Sequence, residues 1–136
     1  MTGKLFRFEL AFNGEPQGIG FLEGLVVCVD LWRPIRIDLY SQFDTLPAYE
    51  IDEPDGVSFW FTEEGLSRYD DAINRVADEL AAEGGWRLIG AAIDNPPDEI
   101  LYQDAFQVAF PLECIRMMDI KYVPVTDVDE FLKQTS

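Results

Sequence analysis

The chain contains no histidine. Without an imidazole there is no Ser-His-Asp or Cys-His pair, no histidine zinc ligand, and no side chain whose ordinary pKa suits acid-base work near neutrality. Cysteine is scarce as well. Cys28 and Cys114 are the only two, whereas an all-thiolate zinc site needs four. They lie far apart, each in an apolar stretch, which reads as two buried free thiols in a reducing compartment rather than a disulfide. Enzyme chemistry is thereby confined to carboxylate, tyrosine, lysine or thiol groups, or to a hard metal held by oxygen ligands. A thiol nucleophile at Cys114, with Arg116 two residues on to lower its pKa, would still lack a histidine base.

Basic residues are few. Ten Lys and Arg stand against 26 Asp and Glu, for a net charge of -16 and a pI near 4.1. The cations are scattered from Lys4 to Lys133 without a cluster. Nucleic-acid binding relies on such clusters to displace counterions, and a field of this sign repels phosphate, so no direct nucleic-acid partner is expected. Long apolar runs are also missing: "LVVCV" at 25–29 is far too short to span a bilayer. At the start, "MTGKLFRFELAFNGE" alternates where a secretion signal would carry a basic end and an apolar stretch. A cytoplasmic protein without membrane contact is the expectation.

Apolar material, in contrast, is plentiful. Of 136 residues, 48% are hydrophobic and 13% aromatic, enough to offset chain entropy with one core but not with two, so 1–136 is expected to be a single domain. In "LFRFELAFN", Phe6, Phe8, Leu10 and Phe12 alternate with Arg7, Glu9 and Ala11, the period of a half-buried strand. The glycine-rich "NGEPQGIGFLEG" reads as a turn and irregular loop. Its Gly18, Gly20 and Gly24 do not make a phosphate loop: the spacing is wrong, lysine is missing, and Glu15 and Glu23 would repel the ligand. Residues 25–47 support two readings, a strand around Val26, Val27 and Val29 or a helix over about 34–45 entered at Pro34.

Residues 57–62 predict a strand, and Thr62 then caps a helix over 63–83, closed by Gly84 and Gly85. Leu66, Tyr69, Ile73, Val76, Ala77 and Leu80 fall within an arc roughly 100° wide, the core-facing stripe. Asp71, Asp78, Arg68 and Arg75 occupy the opposite side, with Glu63 and Asp70 on its border, so these carboxylates read as a solvated face and not as catalytic acids. "WRLIGAAI" and "EILYQDAFQVAF" predict two strands joined through "DNPPD" in a hairpin connection. A short helix from Thr126 or Asp127 ends the chain, with Phe131 and Leu132 free to dock. This order implies an α+β fold: a mixed, mostly antiparallel sheet of about four strands with the long helix across one face. Residues 57–93 fit a right-handed crossover between parallel strands.

Two function classes remain. The first is a non-enzymatic interaction or inhibitor module binding a basic partner surface through its acids, the candidate patch being Glu50, Asp52, Glu53 and Asp55 in "EIDEPD". That segment also has the carboxylates of a calcium loop, without the order, central glycine or distal Glu of an EF-hand. The second is a small enzyme or ligand-binding protein. Asp104 shares the strand period of Tyr102 and Phe106, and a buried carboxylate either finds partners or shifts its pKa upward. Tyr102, Trp60 and Trp86 would line its pocket, although aromatics at strand spacing also build plain core. No cofactor or metal motif is present, so none is expected.

Overall fold

The computed structural model describes residues 3–20, 57–82 and 84–135. Within them lie seven strands: β1 (Leu5–Phe12), β2 (Glu15–Gly20), β3 (Val57–Phe61), β4 (Trp86–Ile93), β5 (Tyr102–Gln103), β6 (Gln107–Pro111) and β7 (Val123–Pro124). Four helices accompany them: α1 (Glu63–Arg68), α2 (Asp70–Ala82), α3 (Leu112–Arg116) and α4 (Val128–Thr135). The candidate helix over 34–45, Cys28 and the "EIDEPD" segment fall outside the described residues.

The fold is α+β. All seven strands join one sheet in the order β5-β6-β3-β1-β4-β7, with β2 also paired to β1. Every strand pair among the described residues is antiparallel. The expected mixed sheet of about four strands is therefore too small, and its parallel content is absent from the described pairs. Of the three extra strands, β2 comes from a segment read as loop, β5 from one read as part of a longer strand, and β7 from the stretch before the terminal helix. Asn13 and Gly14 both take positive φ, 52° and 83°, and turn β1 tightly into β2, as Asn-Gly favours in a two-residue hairpin. β3 and β4 do run parallel, since both pair antiparallel with β1, but β1 lies between them. The crossover over 57–93 thus spans two strand positions.

The "EILYQDAFQVAF" segment is not one strand. It folds back on itself at residues 104–107, where the Asp104 N–H donates to the Gln107 carbonyl at 2.9 Å. This reversal puts Tyr102 opposite Ala109 and leaves Val108 and Phe110 facing the other side of the sheet. Nor do residues 94–99 close a hairpin, because β4 and β5 lie towards opposite ends of the strand order. Ile93 and Ile100 both pack against the Trp60 cluster as the chain crosses between them.

Both sides of the sheet are buried. On one, the predicted stripe of α1 and α2 meets Phe6, Phe8, Leu10, Phe61 and Leu88, with Phe131 of α4 docked among them. Phe131 lies 5.9 Å from Phe6 and 5.2 Å from Phe8, measured between ring centroids. On the other side, Leu5, Trp60, Val108 and Phe110 form a second cluster, against which Cys114 and Ile115 of α3 pack. The helix expected over 63–83 is broken at Tyr69, where φ -112° and ψ 15° leave the helical region. Tyr69 fills the junction instead, its ring packed against Phe61 and Phe106. Leu80 is fully buried in the helical layer, whereas Asp78 is exposed. Leu80→Ala should accordingly cost about 2 to 5 kcal/mol in chemical denaturation, and Asp78→Ala within about 0.5 kcal/mol of nothing. Equal stability of the two variants would contradict this orientation of α2.

Candidate functional site

The period of β1 that buries Phe6, Phe8 and Leu10 under the helices turns Arg7, Glu9 and Ala11 to the opposite side. These side chains are not solvated: Arg7 is 8% and Glu9 7% exposed. The Arg7 Nε–H donates to Glu9 Oε2 at 2.8 Å in a buried ion pair. Tyr122 reaches in just before β7, and its hydroxyl donates to the same carboxylate oxygen at 2.5 Å. Arg7 also donates through Nη1 to the Phe59 carbonyl at 3.4 Å. Burial holds the Tyr122 phenol well above its ordinary range. The hydrogen bond to Glu9 and the Glu9 charge push the same way, and Arg7 offsets part of this. The phenol is protonated at neutral pH and donates to Glu9. Arg7 compensates the charge of Glu9, so the cluster as a whole presents none.

Beside Tyr122 the sheet opens into a cleft of about 490 Å³. Its walls come from the β1–β2 turn (Asn13, Gly14), the start of β4 (Trp86, Arg87, Ile89), the end of α2 (Ala81), and Pro16 and Pro124. The turn is tied to the start of β4 by the Asn13 N–H, which donates to the Gly85 carbonyl at 2.7 Å. Trp86, opposite Phe12 in the register, packs on its ring on the helical side of the sheet, 4.9 Å away between centroids, whereas Arg87 and Ile89 belong to the other face. Among the described residues of the lining Arg87 is the only charged one, and it is exposed.

The four residues proposed from the sequence as a pocket are not brought together. Tyr102 and Asp104 do meet, the tyrosine hydroxyl donating to Asp104 Oδ2. The other carboxylate oxygen of Asp104 accepts from the backbone N–H groups of Phe106 and Gln107, each at 2.7 Å, which fastens the β5–β6 turn. Trp60 pairs with Val108, one position from the Ala109 that faces Tyr102, and so lies across the sheet from that tyrosine. It is fully buried, stacked on Phe110 at 5.6 Å, and its indole N–H donates to Ser58 Oγ. Trp86 belongs to the cleft at the far end of β4. Glu50, Asp52, Glu53 and Asp55 lie outside the described residues.

Arg7 and Glu9 were legible in principle: opposite charges two apart on a strand share a face and can pair there. Nothing local in the sequence marks Tyr122, whose partner is 113 residues away. Among the described residues no group of three or more His, Cys, Asp or Glu is placed to hold a metal ion, and no helix is long and apolar enough to cross a membrane. Comparison with protein-family models, with curated proteins and with solved structures finds no match.

Proposed function

We propose that this chain is an acidic cytoplasmic interaction module that occupies a basic surface of a partner protein, in the manner of an inhibitor. The observation that carries the reading is the charge, -16 over 136 residues. Glu63, Glu64, Asp71, Asp78, Asp129 and Glu130 are exposed over the helical layer, against Arg68, Arg75 and Lys133, and add to the general field without forming the partner surface. A field of this kind speeds encounter with a basic partner and turns away nucleic acid. The free thiol of Cys114 fits a reducing compartment.

Capture of a partner at about 0.15 M salt, where the Debye length is about 8 Å, separates specific binding from general attraction. Neutralising Glu50, Asp52, Glu53 and Asp55 to Gln or Asn should abolish capture. An equal change at Glu63, Asp70, Asp71 and Asp78 should leave it intact. Equal loss in both would reduce the acidity to a solubilising role and remove the support for this function.

One observation favours a second reading, a ligand-binding protein: the cleft beside Trp86 and Tyr122, which is built from different residues than the Asp104 turn.

A further inference from the structure

We infer that Asn13 is a site of spontaneous covalent modification, a deamidation site that the β1–β2 turn holds unreactive, so that its conversion to aspartate and isoaspartate records the opening of this hairpin. The chemistry needs an asparagine side-chain amide, a following residue whose backbone nitrogen carries a hydrogen, and little bulk on that residue. The chain has three asparagines, Asn13, Asn74 and Asn95. Asn95 precedes Pro96, whose nitrogen has no hydrogen to lose. Asn74 lies within α2 ahead of the bulky Arg75, and its Oδ1 accepts the Val128 N–H at 2.7 Å. Asn13 alone precedes a glycine. Both residues are exposed, and Gly14 has open space around its Cα.

In the reaction the deprotonated Gly14 nitrogen attacks Asn13 Cγ. A nitrogen–carbon bond forms, the Cγ–Nδ2 bond breaks, and ammonia leaves a five-membered succinimide behind. Water then opens the ring at either carbonyl to give aspartate or isoaspartate, so the net change is amide plus water to acid plus ammonia. Ring closure requires the Gly14 nitrogen to eclipse Cβ about the Cα–C bond of Asn13. The fold turns it away. The φ values of 52° at Asn13 and 83° at Gly14 are those of a type I′ turn, in which ψ of the first residue is roughly +30° and puts that nitrogen nearly opposite Cβ. The turn is also fastened, since the Asn13 N–H donates to the Gly85 carbonyl at 2.7 Å. The Asn13 side chain lies over Gly85: a Cβ added at position 85 would stand 3.0 Å from Asn13 Oδ1. Cyclisation therefore waits for the turn to open, and its rate in the folded protein is the unfolded-chain rate multiplied by the fraction of time the turn is open. The isoaspartyl product routes the backbone through the side chain and adds a methylene to a two-residue loop, so the hairpin cannot close again in its former register. Either product adds a negative charge.

The test incubates the full chain at mildly alkaline pH, folded and in urea, and follows each asparagine by peptide mapping with mass spectrometry. In urea Asn13 should convert while Asn74 and Asn95 lag far behind. In the fold its conversion should be slower by at least about tenfold, the effect of a local opening free energy of about 1.4 kcal/mol. Hydrogen exchange of the Asn13 amide, which the bond to Gly85 protects, measures the same opening independently. Its protection in the folded chain should equal the slowing of deamidation, because one event exposes both groups. Gly85→Ala crowds Asn13 Oδ1 and the Phe12 ring at a φ of 82° and should raise the folded rate by about fivefold; should this variant fail to fold, the amide comparison in the native chain decides. Asn13 remaining intact in urea would overturn the inference, since the site would then have no intrinsic reactivity. Equal rates in the fold and in urea, a protection that differs in order of magnitude from the slowing, or a folded Gly85→Ala chain with an unchanged rate would overturn it as well, since each removes the turn as the gate.

Discussion

Gly65→Ala is expected to destabilise the protein by about 3 to 5 kcal/mol, combining overpacking against backbone with loss of a helix cap. A Cβ at position 65 would lie 2.1 Å from the Phe106 carbonyl oxygen, and no flexible side chain is there to yield. The same carbonyl accepts the Thr62 N–H at 3.0 Å, and the Thr62 hydroxyl donates to the neighbouring Ala105 carbonyl at 2.6 Å while accepting from the Gly65 N–H. Displacing the turn at 104–107 to make room would therefore break the bonds that start α1 as well as the contact itself. Gly84 provides the control. It has a positive φ of 67° but open space around its Cα, so Gly84→Ala meets only the left-handed backbone penalty, about 1 kcal/mol. Urea denaturation of the two variants distinguishes the causes. Similar losses would mean that backbone conformation, and not the Phe106 contact, decides both positions.

That contact also explains a departure from the usual helix start. A capping box places Glu or Gln three residues after the capping Thr, and this chain has glycine at 65, a residue that looks like a weakness when the helix is considered alone. Its cause is tertiary, since a turn 40 residues further on sits against the helix. The same division runs through the fold. Periodicity identified the faces of β1, the stripe of α2 and the docking of Phe131, because each depends only on which residues a regular element turns inward. It was silent on which strands become neighbours. Hydrophobic alternation in "EILYQDAFQVAF" continues through a turn fastened by Asp104, so two antiparallel strands read as one. Asn-Gly at 13–14 was a local signal for a hairpin, but the proline and glycines after it read as loop while they form β2. The cleft was the least accessible feature. Its walls come from the β1–β2 turn, β4, the end of α2 and the residues around β7, and only Trp86 among them stands out in the sequence.

Removing one member of the buried Arg7–Glu9–Tyr122 cluster should cost more than replacing all of it. Glu9→Gln leaves the Arg7 guanidinium buried without a counter-charge, a change expected to cost about 3 to 5 kcal/mol. The triple variant Arg7→Met, Glu9→Leu, Tyr122→Phe removes the charged pair and its hydroxyl partner, with only the long Arg7 bond to the Phe59 carbonyl lost besides, and should recover most of that loss. If the triple variant is less stable than Glu9→Gln, the cluster is a net source of stability and not a satisfied cost. The tyrosine adds a dependence on pH whose sign is fixed. Its phenol titrates at an ordinary 10.0 in the unfolded chain and above that in the fold, because burial and Glu9 both disfavour the phenolate. The folded state therefore binds the proton more tightly. The stabilisation this represents is complete below a pH of about 10 and declines as pH rises from there toward the folded value. Tyr122→Phe has no proton to lose at this position, so the stability gap between it and the native chain should be constant from about pH 7 to 9 and narrow steadily above about pH 10. A gap that stays constant through the alkaline range would show that Tyr122 is no harder to ionise in the fold than in the unfolded chain, and that its hydroxyl is not held against Glu9 in solution.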